Sequence, residues 1–186
     1  MSYGAGQHRY GCSTAFICTV TRRSGVSKTL GAYVLKATLL QGKHMPTSTE
    51  ELENLLAVIR ADFDVDFEPM QVDENPLQIL SIHNMQSHLD KLLQKRAIRD
   101  PLKDLPLWAK VWPGSFVLGR LLRKYEPQGK SLLELGAGCG VLSLVAARYG
   151  FSRIVLSDVV EEALRFARAN VLRNDLQDIV EVARVD

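Results

Sequence analysis

Residues 131–158 restrict this chain more than any other stretch. Ser131–Leu135 is a short apolar strand, and Gly136, Gly138 and Gly140 alternate through the turn that follows it. Val141–Tyr149 then reads as a helix ended by Gly150, and Arg153–Ser157 as a second strand ending at Asp158. Strand, glycine turn, helix and strand in that order form a β-α-β unit, whose strands lie parallel and whose crossover is right-handed. Glycine lets the turn take positive φ and lets a ligand lie against the backbone. The helix start behind the turn offers free N–H groups and a positive dipole end to an anionic group. Asp158 falls 22 residues after Gly136, at the end of the second strand. A carboxylate placed there can accept both hydrogen bonds of a ribose diol.

The pattern continues downstream. Glu161–Arg173 reads as a second helix, with Glu161 and Glu162 at its positive end and Arg173 near its negative end, as the helix dipole favours. Ile179–Val185 begins a third strand. The fold class expected is α/β: a Rossmann-like, doubly wound parallel sheet, incomplete at three strands.

Upstream the signals are of another kind. Ser48 and Glu51 have capping-box spacing, and Leu52, Leu55, Leu56 and Ile59 follow at helical intervals. Phe63, Val65 and Phe67 alternate with Asp62, Asp64, Asp66 and Glu68, which predicts a half-buried strand. Asp73-Glu74-Asn75-Pro76 is a turn cluster, with Leu77–Ile82 as the returning strand. Asn84 is placed to cap a helix that uses Leu89, Leu92 and Leu93, and the loop around Pro101 and Pro106 ends it. Leu118, Leu121, Leu122 and Tyr125 make a further helical face. A small helix-hairpin-helix part therefore precedes the β-α-β region, and three segments are expected: 1–49, 50–126 and 127–186.

Charge divides the 186 residues unevenly. Residues 1–49 hold six basic side chains (Arg9, Arg22, Arg23, Lys28, Lys36, Lys43) and no acid, while the remainder holds 17 basic and 21 acidic residues, a net −4. The formal net charge of +2 is thus an average over a basic head and a mildly acidic body. A basic, Ser/Thr-rich, acid-poor head has the composition of an organelle transit peptide. Its plainer reading is a disordered extension, or a stretch ahead of the true start at Met45. No apolar run is long enough to cross a membrane as a helix. Cys12, Cys18 and Cys139 make no disulfide framework and no C-x-x-C pair, which fits a reducing, cytoplasmic compartment, or an organelle if the head is a targeting peptide. The body advertises no nucleic-acid grip. His83 and His88 lack the further ligands of a metal set and read as solvated or core residues. Lys91, Lys95, Arg96 and Arg99 read as a solvated face.

Glycine spacing selects the ligand. The dinucleotide fingerprint is G-x-G-x-x-G; here Gly140 comes one residue early and Val141 holds the third position. Glu134-Leu135-Gly136-Ala137-Gly138-Cys139-Gly140 instead resembles the first motif of class I S-adenosylmethionine-dependent methyltransferases. Together with Leu107-Trp108-Ala109-Lys110-Val111-Trp112-Pro113-Gly114, the run from Phe63 to Asp186 resembles bacterial members of the family that includes the seven-strand protein-lysine methyltransferases.

The resemblance implies S-adenosyl-L-methionine as cofactor. It matches Trp112 to a tryptophan lining the pocket, and Gly136, Ala137 and Gly138 to the loop beneath the methionine part, with Gly140 completing the triplet. It matches Glu134 to the acid of the first motif, in a bridging or supporting role, Asp158 to the ribose acid, and Asp186 to a position near the adenine. Trp108 reads as packing. Cys139 reads as a residue small enough for the turn, not as a nucleophile. The function implied is methyl transfer to a protein, most naturally a lysine side chain. A ribosomal protein, a small molecule, or a non-catalytic cofactor-binding module remain alternatives. With the third strand only begun, the sequence is expected to be a fragment, weak in cofactor binding or prone to aggregate alone; the acceptor-side residues would follow Asp186.

Overall fold

The computed structural model describes residues 17–21, 47–94 and 105–185. Asp186, Met45, most of the basic head, and Lys95, Arg96, Arg99 and Pro101 lie outside the described residues.

Helix α1 (Ser48–Asp62) is capped one residue before the expected position. Thr47 is the N-cap: its Oγ1 accepts the Glu50 N–H at 3.2 Å, and the Glu50 carboxylate accepts the Thr47 N–H at 2.7 Å. The box therefore uses Thr47 and Glu50 in place of Ser48 and Glu51. Glu51 is thereby left to take a fork from Arg168, with Nε to Oε1 at 2.8 Å and Nη2 to Oε2 at 3.0 Å. Leu52, Leu56 and Ile59 form the buried face of α1.

Strands β2 (Val65–Val72) and β3 (Asn75–Ile82) make an antiparallel hairpin, registered from Val65 opposite Ile82 to Val72 opposite Asn75. The two-residue turn puts Asp73 at φ 49°, a conformation that Asp tolerates better than most residues. Its carboxylate ties the hairpin tip to the main body, accepting the Tyr149 hydroxyl at 2.6 Å and Arg123 Nη1 at 3.3 Å. Pro69 sits opposite Gln78 on β2. Gln78 turns its own N–H and C=O away from the hairpin, so Pro69 occupies a position where the ladder needs no N–H.

Helix α2 (Met85–Gln94) is capped by Asn84, whose Oδ1 accepts the Ser87 N–H at 3.2 Å. A 3-10 turn at Leu107–Ala109 leads into α3 (Pro113–Arg123), with proline at the first helical position, where its missing N–H costs nothing. The β-α-β region follows as β4 (Ser131–Leu135), α4 (Val141–Arg148), β5 (Arg153–Asp158), α5 (Glu161–Arg173) and β6 (Val180–Arg184). β4, β5 and β6 are parallel neighbours, running from Ser131 opposite Arg153 to Asp158 opposite Arg184. Successive right-handed crossovers in one direction put α4 and α5 on the same face. That face buries Leu132, Ile154, Leu156 and Val180. Leu133, from the opposite face of β4, is 37% exposed. Among the described residues the sheet is therefore wound on one side, where the sequence suggested two. The hairpin and α1 pack against α5 on the same side.

The sequence led us to expect no place in the fold for the head. Five of its residues, Ile17–Thr21, form β1, antiparallel to β4 with Ile17 opposite Leu135 and Thr21 opposite Ser131. β1 satisfies the edge of β4 opposite β5, the place the fourth strand takes in the order 3-2-1-4. An unpaired strand edge is a template for any extended segment within reach.

Gly119 sets the approach of α3 to α4. A Cβ there would meet Val145 Cγ1 at 2.8 Å. Alanine would gain helix propensity but overpack this contact, so Gly119→Ala is expected to destabilise by about 1 kcal/mol. In a Val145→Ala background the same change should stabilise by about 0.5 kcal/mol, and urea denaturation of the four variants checks the change of sign.

Candidate functional site

The site is built at the C-terminal ends of β4 and β5, where open α/β sheets place their ligands. Leu135 through Gly138 is half-buried, while Cys139 and Gly140 are buried. The open side of the turn therefore carries no side chain larger than the methyl of Ala137.

Each amide from Ala137 to Gly140 has a partner. Ala137 N–H donates to Ser157 O at 2.9 Å, Gly138 N–H to Asp158 Oδ2 at 2.8 Å, Cys139 N–H to Trp108 O at 3.0 Å, and Gly140 N–H to Ala137 O at 2.9 Å. The packing explains glycine at 138: φ is +55°, and a Cβ would lie 2.7 Å from the Trp108 carbonyl oxygen. Gly140, at φ +81°, is also the N-cap of α4 and lies against Leu156 and Ala167.

Asp158 is 9% exposed. Its Oδ2 takes Gly138 N–H, and its Oδ1 takes Val160 N–H at 3.0 Å. Each oxygen keeps a further lone pair, so the carboxylate is held in place and still able to accept. Val159, next to it, is 61% exposed.

Glu134 lies under the turn, 2% exposed. Ser143 Oγ–H donates to its carboxylate at 2.5 Å, and the Ser143 backbone N–H also reaches it. Gly140 has no side chain to cap α4, so a carboxylate from the preceding strand serves in its place. Burial is the larger influence on that carboxyl and pushes it up to about 7, against the two bonds from Ser143. Cys139 is buried in the same wall, its thiol pushed up to about 12 chiefly by burial. A thiol so held stays protonated and is a poor nucleophile.

The two tryptophans divide their roles unexpectedly. The Trp108 ring packs edge-on to Phe166, 4.9 Å between centroids, and to Phe63 at 5.9 Å. Its backbone carbonyl closes the glycine turn, which sequence reasoning missed because backbone contacts leave no residue-type signal. Trp112 is half-buried; its Nε1–H donates to Leu107 O at 3.0 Å, and Lys110 Nζ stands 4.9 Å over its ring. Those contacts hold it to its own segment. His88 stacks 5.2 Å from Phe63, and burial lowers its pKa first, Lys91 second. No metal-binding cluster occurs among the described residues.

Two outcomes are expected. Gly138→Ala adds a Cβ against an immovable carbonyl at positive φ and should cost about 2 kcal/mol or more in urea denaturation. Glu134 binds its proton more tightly folded than unfolded, since about 7 exceeds its ordinary 4.5. Below pH 4.5 both states are protonated and the shift has no effect on stability. Between 4.5 and 7 the unfolded state alone loses the proton, so stability falls as pH rises, then levels off. The full penalty is about 3 kcal/mol at most. Glu134→Gln should flatten that slope in denaturation series from pH 4 to about 8.

Comparison with known proteins bears on this geometry. The family model described as Ribosomal protein L11 methyltransferase (PrmA) matches residues 118–186. The ribosomal protein L11 methyltransferase of Thermotoga maritima is 28% identical over 154 residues, covering 81% of this chain and 55% of the relative. The electron transfer flavoprotein beta subunit lysine methyltransferase homolog of Caenorhabditis elegans is 38% identical over 80 residues, 42% of this chain and 32% of the relative. The corresponding human lysine methyltransferase is 43% identical over 56 residues, 29% of this chain and 21% of the relative. The chain thus spans about half the length of the first of these relatives, and less of the others. The stretch matched by the family model, residues 118–186, contains the G-x-G-x-G turn and the acid of the neighbouring strand hydrogen-bonded to it, so it is over this region that the chain is similar to methyltransferases.

Proposed function

We propose that this chain forms the S-adenosylmethionine-binding part of an enzyme that methylates a protein, with a lysine side chain as acceptor. The observation that carries it is the 2.8 Å bond from Gly138 N–H to Asp158. It brings the turn and the strand-end acid within one ligand's reach. The residues fit the group. Gly136, Ala137 and Gly138 present a wall without bulk for the methionine part, and Asp158 keeps accepting capacity for a ribose diol. Val159 gives an exposed apolar surface beside Asp158 for a purine. Trp112, on the Trp-Pro segment, is assigned to the cofactor pocket on the resemblance alone. Glu134 supports the turn from below through Ser143 and stays out of contact with the ligand.

Bound S-adenosylmethionine supplies an electrophilic methyl group on a sulfonium sulfur. The protein's part is alignment: holding that methyl in line with the acceptor nitrogen. A lysine acceptor must first lose its proton. Support for a protein acceptor comes from the relatives, whose names specify ribosomal protein L11 and an electron transfer flavoprotein subunit.

Two experiments test this. Titration calorimetry should show S-adenosylmethionine binding and no NAD binding. Asp158→Asn, which removes the charge and leaves one acceptor oxygen for the two backbone N–H groups, should weaken binding by about tenfold. Binding of NAD in preference to S-adenosylmethionine would overturn the cofactor assignment. Isotope-labelled methyl transfer by the full-length protein, followed by mass spectrometry of labelled proteins, should place the label on lysine; label confined to small molecules would overturn the acceptor.

A further inference from the structure

The open edge of β3 is satisfied by two side chains four residues apart, Asn170 in α5 and Asn174 at its C-cap. Asn174 Oδ1 accepts Gln78 N–H at 2.9 Å, and its Nδ2 donates to Gln78 O and Asn170 O, each at 2.7 Å. All the partners of its side chain lie in the hairpin and the helix before it, while its backbone carbonyl accepts Arg148 Nη2 at 3.1 Å. Asn170 begins alike, with Oδ1 accepting Leu80 N–H at 2.7 Å, but its Nδ2 donates to the Cys139 carbonyl at 2.9 Å. Asn170 is fully buried, at 0% exposure. One side chain therefore spans the hairpin and the glycine turn.

The orientation of the Cys139–Gly140 peptide is fixed by hydrogen bonds on both sides: its carbonyl accepts Asn170 Nδ2, and its N–H donates to Ala137 O. Gly140, on its C-terminal side, stands at positive φ and has no Cβ, which widens the range of orientations open to this peptide plane. Rotation would take the Cys139 carbonyl away from Asn170 and break the Gly140 N–H bond to Ala137. Within the turn as built, the carbonyl points into the core, where a free acceptor would be costly. Asn170 Nδ2 is the donor that holds it there.

We propose that Asn170 is a positioning residue for the cofactor turn: it sets the Cys139 carbonyl and, through Leu80, ties that orientation to the seating of the hairpin. Asn170 touches no cofactor, and its effect is on affinity. The inference rests on the S-adenosylmethionine reading above. Asn174, one helical turn on, is the internal control, because it clamps the hairpin without reaching the turn.

The test compares Asn170→Asp, Asn170→Ser and Asn174→Ser with the unsubstituted chain. Asn170→Asp keeps the acceptor for Leu80 and sets an oxygen against the Cys139 carbonyl. Calorimetric titration with S-adenosylmethionine should show about tenfold weaker binding for both Asn170 variants, and a change within about twofold for Asn174→Ser despite a comparable loss of thermal stability. In the full-length enzyme, KM for S-adenosylmethionine should rise while kcat holds. Amide hydrogen exchange at Gly140, measured without cofactor, should speed up in the Asn170 variants and not in Asn174→Ser. Equal affinity loss in all three variants, or Asn170 variants that bind like the parent, would overturn the proposal. If the Asn170 variants do not fold, the Asn170 side-chain amide resonance of the parent decides. A shift on cofactor saturation supports the role, and an unmoved signal refutes it. A parent chain that binds no S-adenosylmethionine removes the cofactor reading; accelerated Gly140 exchange in the Asn170 variants would then still sustain the positioning of the turn, and unchanged exchange would end it.

Discussion

A buried backbone amide or carbonyl must find a partner, and in this chain that requirement is concentrated in five residues. The turn from Gly136 to Gly140 is pressed between the Trp-Pro segment, the end of β5 and the middle of α5. Its partners come from Trp108, Ser157, Asp158 and Asn170, positions scattered over about a third of the sequence. Close approach is possible only because the turn lacks side chains, and close approach is what excludes water from its amides. The glycines and the distant partners are therefore one device. The glycines admit the neighbouring backbone, and the neighbours replace the solvent.

Electrostatics under the turn follow from the same economy of space. A helix whose cap is glycine has no oxygen of its own for its first amides. Glu134 reaches them from the strand beneath, through Ser143. Being enclosed, that carboxyl holds its proton to about neutrality, while Asp158, a short distance away and bonded to two backbone amides, sits at the mouth. Two acids of one motif thus have separate tasks, one inside the wall and one facing the ligand space.

Much of this was legible in the sequence where one residue type has one physical use. Alternating glycines, the strand-end acid and the helical spacing of Leu52, Leu56 and Ile59 located the β-α-β unit and the start of α1 to within a residue, while the strand expected from Asp62 begins only at Val65 because α1 runs on through Asp62. The cap of α1 slipped to Thr47 because Thr47 and Ser48 offer the same hydroxyl, each with a glutamate three residues on. Asn170 was unreadable, since an asparagine inside a helix looks like any polar surface residue until the fold buries it. The Trp108 carbonyl was unreadable for a deeper reason: every residue has one. Strand β1 was missed because five mildly apolar residues in a Ser/Thr-rich segment carry no alternation, and its place is defined by the edge it meets.

The approach of α3 to α4 at Gly119 has a mechanical corollary. The Trp-Pro segment is anchored at its start by the Trp108 carbonyl to Cys139, just ahead of α4, and at its far end by α3 lying against Val145, within α4. Both feet of the arch stand on the same helix. Trp112 is carried between them, with its indole tied back to Leu107. Lifting the arch off α4 would break the Trp108–Cys139 bond and the α3 contact at Val145 together, and would also pull the Trp108 ring from Phe166.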